Sequence, residues 1–600
     1  MSTEPRRALR ILDPKTNLTA VAIEGISPLE GPSARASDDL LVVDTAEYYG
    51  GETLETASQV NYVQLKHSTT RPEQPWTASG IADTITAFAK LFNGRSQRLN
   101  RALVSKLHFQ FVTNRPVHPH IEAGLEIGRQ NRSLKGAPRA VVSAYRALHK
   151  ASGLSARNFL EFTRRLELLG SQETRSLQSQ ALNQGLARYL PHLNSDVNVR
   201  LKELVRSKTL SDAKHDPVIR RETILHALGV TDPKRLLPSP ASFDPISDAI
   251  PREQEPDIAR AVVCSSTPIV IHAHGGVGKS VLARRLPQKM PTGSVSVVFD
   301  GFSGGAYRTP RDPRHRHDRG MVQIVNELAF QGLCDPLLPT SAPDSDYLEA
   351  FRSRLDQASA EVRRTHPDAL VMIVLDAADN SEMAASDDHR RSFARDLLQE
   401  NPPTGCRIVA LARTERLDLL HLPATTLSIA LRPFSSTETA RFLRVHYADA
   451  SDDRATEFHR LTAGSPRVQA NAIAAATTLE GVLRGLGPSV RTVDEAIASQ
   501  LDSALGNIRE HAASKHDIDT LCAALAILPP LVPIRTLAHA ANVPEAAARS
   551  FVSDMGRPLL EIDGAVQFRD EPVETWFRKK FSSDATLCGR LADALASLVH

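Results

Sequence analysis

Residues 268–286 read PIVIHAHGGVGKSVLARRL: an apolar strand, a glycine-rich turn and the start of a helix in immediate succession. Few folds accept that order. A strand running straight into Gly275, Gly276 and Gly278 can turn its backbone N–H groups inward around an anion, and the helix behind it adds the positive end of its dipole. Lys279 is then placed to bridge the β- and γ-phosphates of a nucleotide, and Ser280 to hold Mg2+. Ala273 stands where the motif has its first glycine, which narrows the turn without removing a phosphate ligand.

A loop of this kind needs a second anchor for the metal, and LVMIVLDAADNS (370–381) supplies a candidate. Its apolar run delivers Asp376 to the C-terminal end of a strand, where it can share Mg2+ with Ser280. Asp379, one turn further, is the candidate to position or polarise an attacking water. The neighbouring run CRIVALARTER (406–416) ends in Arg413, which can sense a γ-phosphate at the same edge. Between 259 and 430 strand and helix patterns alternate, so a parallel sheet with crossover helices is expected, followed by a largely helical region from 431 to 600.

Taken together, the loop, LDAADN, IVALART and LTAGSPRV (461–468) resemble the STAND NTPases, signalling ATPases of the AAA+ type that include NOD-like and NB-ARC receptors. The resemblance implies ATP and Mg2+ as cofactors, Arg413 as reader of the γ-phosphate, and Gly464-Ser465-Pro466 as the start of a small helical domain packed on the adenine. It also implies a winged helix, for which 517–580 offers three helices and a wing at LLEIDGAVQF. Where relatives carry a histidine that locks ADP, this chain has FRDEPVETW, with Arg569 as a substitute phosphate contact.

A chain of 600 residues exceeds one hydrophobic core, and about three to five domains are expected. No run of some 18 apolar residues spans a bilayer and MSTEPRRALR lacks the apolar stretch of a signal peptide, so a cytoplasmic setting is expected. Its five cysteines (Cys264, Cys334, Cys406, Cys522, Cys588) stand far apart and read as reduced and buried. Charge is uneven. Residues 1–90 hold 8 Lys/Arg against 12 Asp/Glu, whereas 91–240 hold 25 against 11. An acidic segment beside a basic one suits a polyanion binder with a metal-binding neighbour, and suits solvated helix faces equally well.

The N-terminal segment reads as strands to residue 66, with LLVV (40–43) and VNYVQL (60–65) strongest, then a helix over 77–92, a strand over 106–114 and mostly helix over 121–230. Gln64 and Lys66 end one of these strands on a common parity, and Asp44 follows LLVV. A carboxylate holding Mg2+ against a phosphodiester, a lysine that orients or deprotonates water and a glutamine that orders the metal's shell make a coherent hydrolytic set. Asp39 and Glu24 are the alternative acids. QLKHS and the helix after it resemble a PD-(D/E)xK nuclease core in its Gln variant, of the kind fused to prokaryotic antiviral (Avs-type) STAND proteins.

The expected architecture is therefore multidomain α/β and α: a restriction-endonuclease-like nuclease domain with a helical extension (1–235), a linker (236–258), a P-loop NTPase core with a parallel sheet (259–435), a helical domain (436–512) and a winged helix (513–600). The resemblance implies a homo-oligomer, a tetramer favoured, that cuts double-stranded DNA when ATP and a viral trigger protein act together. Relatives continue into a long repeat domain that captures the trigger; this chain ends at LADALASLVH, so a further segment or another polypeptide is expected to sense it. The alternative is a STAND transcription regulator that binds DNA through the winged helix. The stretch YRTPRDPRHRHDRG (307–320) reads as exposed and is left without a role.

Overall fold

The computed structural model describes residues 3–596, apart from 31–41, 174, 211–215, 244, 246–247, 475, 488–492, 512–513, 529, 557, 570, 583–588, 590 and 594–595. Asp39 and Cys588 lie outside the described residues. Two compact units divide the chain: Met1–Leu236 with Asp335–Asp346, and Leu237–Cys334 with Tyr347–His600.

The first unit is built on six strands: β1 (Leu18–Ile23), β2 (Thr45–Tyr49), β3 (Gln59–Lys66), β4 (Leu107–Thr113), β5 (Leu166–Leu169) and β6 (Val218–Arg220), in the order β5-β4-β3-β2-β1-β6. Strands β1, β2 and β3 are antiparallel, and β3, β4 and β5 are parallel, with a helix (Ala82–Arg98) making the β3–β4 crossover. Period-two alternation assigns the faces. In β1, Ala20 and Ala22 enter one core with Tyr48, Tyr62, Phe88, Phe109 and Phe162, while Val21 and Ile23 enter another with Leu182, Leu201 and Ile224. The sheet is thus covered on both faces.

Three sequence expectations need correction here. Of LLVV, Leu40 and Leu41 lie outside the described residues, and Val42 and Val43 are buried but precede β2, which is TAEYY; Glu47 takes a buried place in β2 by pairing with Arg7 at 2.6 Å. Strands β5 and β6 lie inside the segment read as helical, because runs as short as LELL and VIR carry no period of their own. Residues 335–346, read as part of the NTPase core, belong to the first unit. Leu338 is buried in its second core and donates its N–H to the Tyr189 carbonyl at 2.8 Å, and Asp335 holds Arg188 at 2.6 Å.

The second unit carries β7 (Ile269–His272), β8 (Val295–Asp300), β9 (Val371–Asp376), β10 (Cys406–Ala412) and β11 (Leu427–Ala430) as one parallel sheet in the order β11-β7-β10-β9-β8. Every residue of β9 is buried, as expected for an apolar strand covered on both faces. Helices Ser436–His446, Asp452–Thr462, Pro466–Ala474 and Leu479–Leu486 follow, packed around Leu443, Phe458 and Leu461. A C-terminal module joins helices Lys515–Ile527, Ile534–Ala540, Glu545–Met555 and Glu571–Phe581 to an antiparallel sheet of β12 (Val532–Pro533), β14 (Ala565–Phe568) and β13 (Leu559–Ile562). Asp563 and Gly564 close the β13–β14 hairpin with φ of 55° and 77°, the left-handed pair that a two-residue turn requires.

The arginine-rich stretch is not a free loop. Arg314 is buried and donates to the carbonyls of Asp300 (3.0 Å) and Pro240 (2.8 Å), and His315 and His317 are buried against Asp388 (2.9 Å) and Asp396 (3.0 Å). Of the cysteines, Cys264 is exposed, whereas Cys334, Cys406 and Cys522 are buried. No helix among the described residues is long and apolar enough to cross a membrane.

Candidate functional site

In the second unit, β7 ends at His272 and helix Lys279–Arg285 begins seven residues later, so the glycine turn sits at the carboxyl edge of the parallel sheet. Gly276 and Gly278 have φ of 82° and 99°, which a side chain would resist; these two glycines are where the loop reverses. The Lys279 ammonium donates to the carbonyls of Ala273 (2.7 Å) and His274 (3.1 Å), folding back over the turn. Burial pulls it down to about 8, with Asp379 the leading charge opposing that shift and Arg413 reinforcing it. An arriving polyphosphate would take over those contacts and favour the charged form.

Asp376 ends β9 directly beside Asp300 of β8, and both carboxylates are buried. They differ in use. Asp300 is consumed by backbone donors, accepting from Phe302 (3.0 Å), Ser303 (2.9 Å) and Ser242 (2.9 Å). Asp376, 3% exposed, is pushed up to about 6 by burial, against a hydrogen bond from the Ser280 hydroxyl. The structure thus brings Ser280 and Asp376 into contact, a hydroxyl and a carboxylate whose hard oxygens fit Mg2+. Among the described residues no group of three His, Cys, Asp or Glu is placed to hold a metal.

Ala377 turns the chain in the left-handed region (φ 56°), and Asp379 follows as the second residue of helix Ala378–Asp387. Its partner is Arg416, at 3.3 Å, and not Arg413. Arg413 ends the β10 run and opens the helical turn Thr414–Leu420, close enough to depress both Lys279 and Arg416 by its charge. Pro466 opens the helix Pro466–Ala474, whose Arg467 N–H donates to the Gly276 carbonyl at 3.1 Å. Gly464 before it has φ of 64°, and a Cβ there would stand 2.5 Å from the Phe434 carbonyl oxygen.

Sequence reasoning missed two residues. Arg252, placed in the expected linker, is buried beneath the loop, donating to the Val277 carbonyl (3.0 Å) and to Glu438 (3.2 Å) with its guanidinium 4.8 Å from the Phe434 ring. Glu255 ties this strut to the loop helix through Arg285 at 2.7 Å. Arg416 is the other. For Arg252 the signal was present, a charged cluster PREQE at the start of the helix Glu255–Cys264 that leads to β7; nothing local marked Arg416.

Arg569 lies against the segment 303–308. A Cβ on Gly305 would stand 2.6 Å from the Arg569 carbonyl oxygen, and Gln567 donates to the Gly305 carbonyl. Arg308 pairs with Asp387 (3.2 Å) and Glu574 (3.6 Å), and Arg311 with Asp563 (2.5 Å). The β13–β14 hairpin is thereby docked on the chain that leaves β8.

The first unit gathers a second polar cluster. The β2–β3 register carries Asp44 opposite Gln64, and its carboxylate accepts the Leu65 N–H at 2.6 Å. Gln64 and Lys66 share the face of Tyr62, and the Gln64 Oε1 is buried with no hydrogen-bond partner. Burial pushes the Asp44 carboxyl up, the Leu65 N–H opposes this, and the charges of Glu4 and Glu24 add to it while Lys66 offsets them. Glu24 is adjacent, donating its N–H to the Asp44 carbonyl at 2.7 Å. Glu4, on the helix Thr3–Leu9, has no spacing relation to Asp44 that a sequence could reveal. One carboxylate and an unsatisfied amide oxygen are donors that suit a hard cation.

A parallel sheet, a glycine loop at its carboxyl edge and an acid closing a neighbouring strand define a P-loop NTPase-like fold for the second unit. No family model and no curated protein matches the chain. Among solved structures it is similar to the Walker-type ATPase PABY2304 of Pyrococcus abyssi (14% identity, 57% of this chain and 99% of that one, TM-score 0.30). It is also similar to the STAND protein PH0952 of Pyrococcus horikoshii, which carries a tetratricopeptide repeat sensor (11% identity, 59% of this chain and 46% of that one, TM-score 0.30). A third is Drosophila ORC bound to DNA (15% identity, 56% of this chain and 82% of that one, TM-score 0.26).

Proposed function

We propose that the chain is an ATP-gated DNA endonuclease of an antiviral defence system, a STAND-type switch joined to a PD-(D/E)xK-like nuclease. The observation that carries the reading is the convergence of Asp44, Gln64 and Lys66 at the carboxyl end of β3, on an antiparallel three-strand ribbon continued by a parallel β4, in a chain that also holds the glycine loop. ATP binds with its phosphates in the loop of Gly275, Gly276 and Gly278, Lys279 neutralises the β/γ charge, and Arg413 reads the γ-phosphate. Ser280 and Asp376 would hold Mg2+, which would supply charge neutralisation to the phosphates.

At the nuclease site Asp44 would hold Mg2+, with Gln64 ordering the metal's shell or the water, and the ion would supply Lewis-acid polarisation of the scissile phosphate. Lys66 orients the attacking water and takes up its proton. Each site cuts one strand, so a double-strand break needs a homo-oligomer, for which a tetramer is favoured, assembled on duplex DNA in the ATP-bound state. The C-terminal module serves as the winged helix of the switch, and a viral protein is the trigger. The basic helical region of the first unit holds the DNA backbone.

The test is supercoiled plasmid with Mg2+ and a protein concentration series that drives assembly by mass action. Nicking and linearisation with ATP or a non-hydrolysable analogue, and none with ADP, is the expected result. Sequence-specific binding without scission would replace this reading by that of a transcription regulator acting through the C-terminal module.

A further inference from the structure

The segment 413–416 supplies consecutive side chains to the nucleotide site. Thr414 Oγ1 lies 3.0 Å from His272 Nδ1 at the end of β7, and Glu415 lies 3.1 Å from His274 Nδ1 within the loop. Arg416 Nη1 then lies 3.3 Å from Asp379 Oδ2. These side chains meet, in turn, the end of β7, the loop and the carboxylate that follows Asp376.

The Arg416–Asp379 pair is buried: Asp379 is 1% exposed and Arg416 6%. A buried carboxylate keeps its charge only when a cation and further donors hold it, and removing either partner leaves an uncompensated charge. Nη1 meets Oδ2 at 3.3 Å, longer than a tight charge-assisted bond. Asp379 is nonetheless the foremost charge acting on the Lys279 ammonium, ahead of Asp376. One oxygen is committed to Arg416 while the group as a whole still faces the phosphate lysine.

We propose that Arg416 is a positioning residue for ATP hydrolysis: its guanidinium holds Oδ2 of Asp379 and so presents Oδ1 to the attacking water. In that step the water oxygen bonds to the γ-phosphorus as the bond between phosphorus and the β–γ bridging oxygen breaks. The electron pair of that bond leaves on ADP, and the water proton passes to Oδ1 and from there to the phosphate product. This assignment rests on the reading of the loop as an ATP site and adds the residue that sets the rate of its hydrolysis. Because Arg416 acts through Asp379, it bears on turnover, which needs Asp379 aimed, whereas binding needs Lys279.

The experiment compares wild type, Arg416→Gln, Arg416→Lys, Asp379→Asn and Arg416→Gln/Asp379→Asn. Binding of a non-hydrolysable ATP analogue is read by calorimetry, and hydrolysis by single-turnover kinetics. The expected outcome is retained affinity for the analogue in the two single Arg416 variants, hydrolysis about tenfold slower in Arg416→Gln, and partial recovery in Arg416→Lys. In the Asp379→Asn background the Arg416→Gln change should add nothing, because residues that act as a unit are not additive. Wild-type hydrolysis by Arg416→Gln, or an additive loss in the double variant, would overturn the proposal. Should Arg416→Gln fold poorly, Arg416→Lys carries the test, and loss of analogue affinity in Arg416→Lys would make the pair a structural brace and overturn the proposal too. A wild-type protein that does not bind the analogue would instead sink the ATP-site reading beneath it.

Discussion

At the end of β7 the candidate ligands are mostly backbone groups of one short loop, whereas at the end of β3 they are side chains from segments twenty residues and more apart. Gly275 to Ser280 are consecutive, and their geometry is dictated by two left-handed glycines and the helix they start. Asp44, Gln64 and Lys66 meet only because β2 and β3 pair in one register, and a slip of one residue would turn Gln64 and Lys66 to the opposite face. A site made of contiguous backbone survives changes in its surroundings and can be read from a motif. A site made by register depends on the whole sheet.

That difference can be attacked by mutation. The largest effect is expected from Lys66→Ala, which should lower plasmid nicking on the order of a thousandfold, the usual worth of a proton-transfer group, with ATP affinity unchanged. Lys279→Ala should do the reverse, weakening ATP binding by about a hundredfold through loss of a charge-assisted contact while leaving the Asp44 cluster folded. Calorimetry beside circular dichroism checks both, and a Lys279→Ala protein with full ATP affinity would break the comparison at its stronger end.

The pH dependence sharpens the nucleotide site further. With Lys279 held down to about 8 by burial, its charge is present below that pH and lost above it, so ATP affinity should fall by up to about tenfold between pH 7 and 9. Titrations across that range, repeated with Lys279→Arg, check it: the arginine variant should lose the dependence.

The smallest effect concerns the docked hairpin. Gly305→Ala places a Cβ at a φ of 107° and 2.6 Å from the Arg569 carbonyl oxygen, which should cost about 1–2 kcal/mol of the contact between β13–β14 and the segment leaving β8. Limited proteolysis of Gly305→Ala against wild type reads it directly, as faster cleavage in the C-terminal module.

What the sequence disclosed follows the same division. The loop, Asp376 at the end of β9 and the helix beginning at Pro466 each rest on local pattern, and each stands where that pattern puts it. The β13–β14 hairpin was legible for the same reason, through its Asp-Gly turn. Arg252 and Arg416 were not, because their roles come from packing between distant segments: Arg252 reaches Val277 and Glu438, and Arg416 reaches back 37 residues to Asp379. LLVV misled because burial alone was taken for pairing; Val42 and Val43 fill the core without joining the ladder. The arginine-rich stretch misled in the opposite sense. Its charges look solvated, yet Arg314 is buried by carbonyl acceptors and an aspartate that leave its guanidinium fully engaged.

The central claim is that nucleotide binding in one unit licenses phosphodiester cleavage in the other. The most direct measurement is linearisation of supercoiled plasmid by wild type, Lys66→Ala and Lys279→Ala at matched, high protein concentration, with Mg2+ and either ATP, a non-hydrolysable analogue or ADP, and with oligomeric state followed in parallel by mass photometry. The account predicts cutting by wild type alone, with ATP or the analogue, accompanied by assembly; Lys66→Ala should assemble without cutting, and Lys279→Ala should do neither. Cutting by Lys66→Ala at the wild-type rate, or equal cutting by wild type with ADP and with ATP, would contradict it.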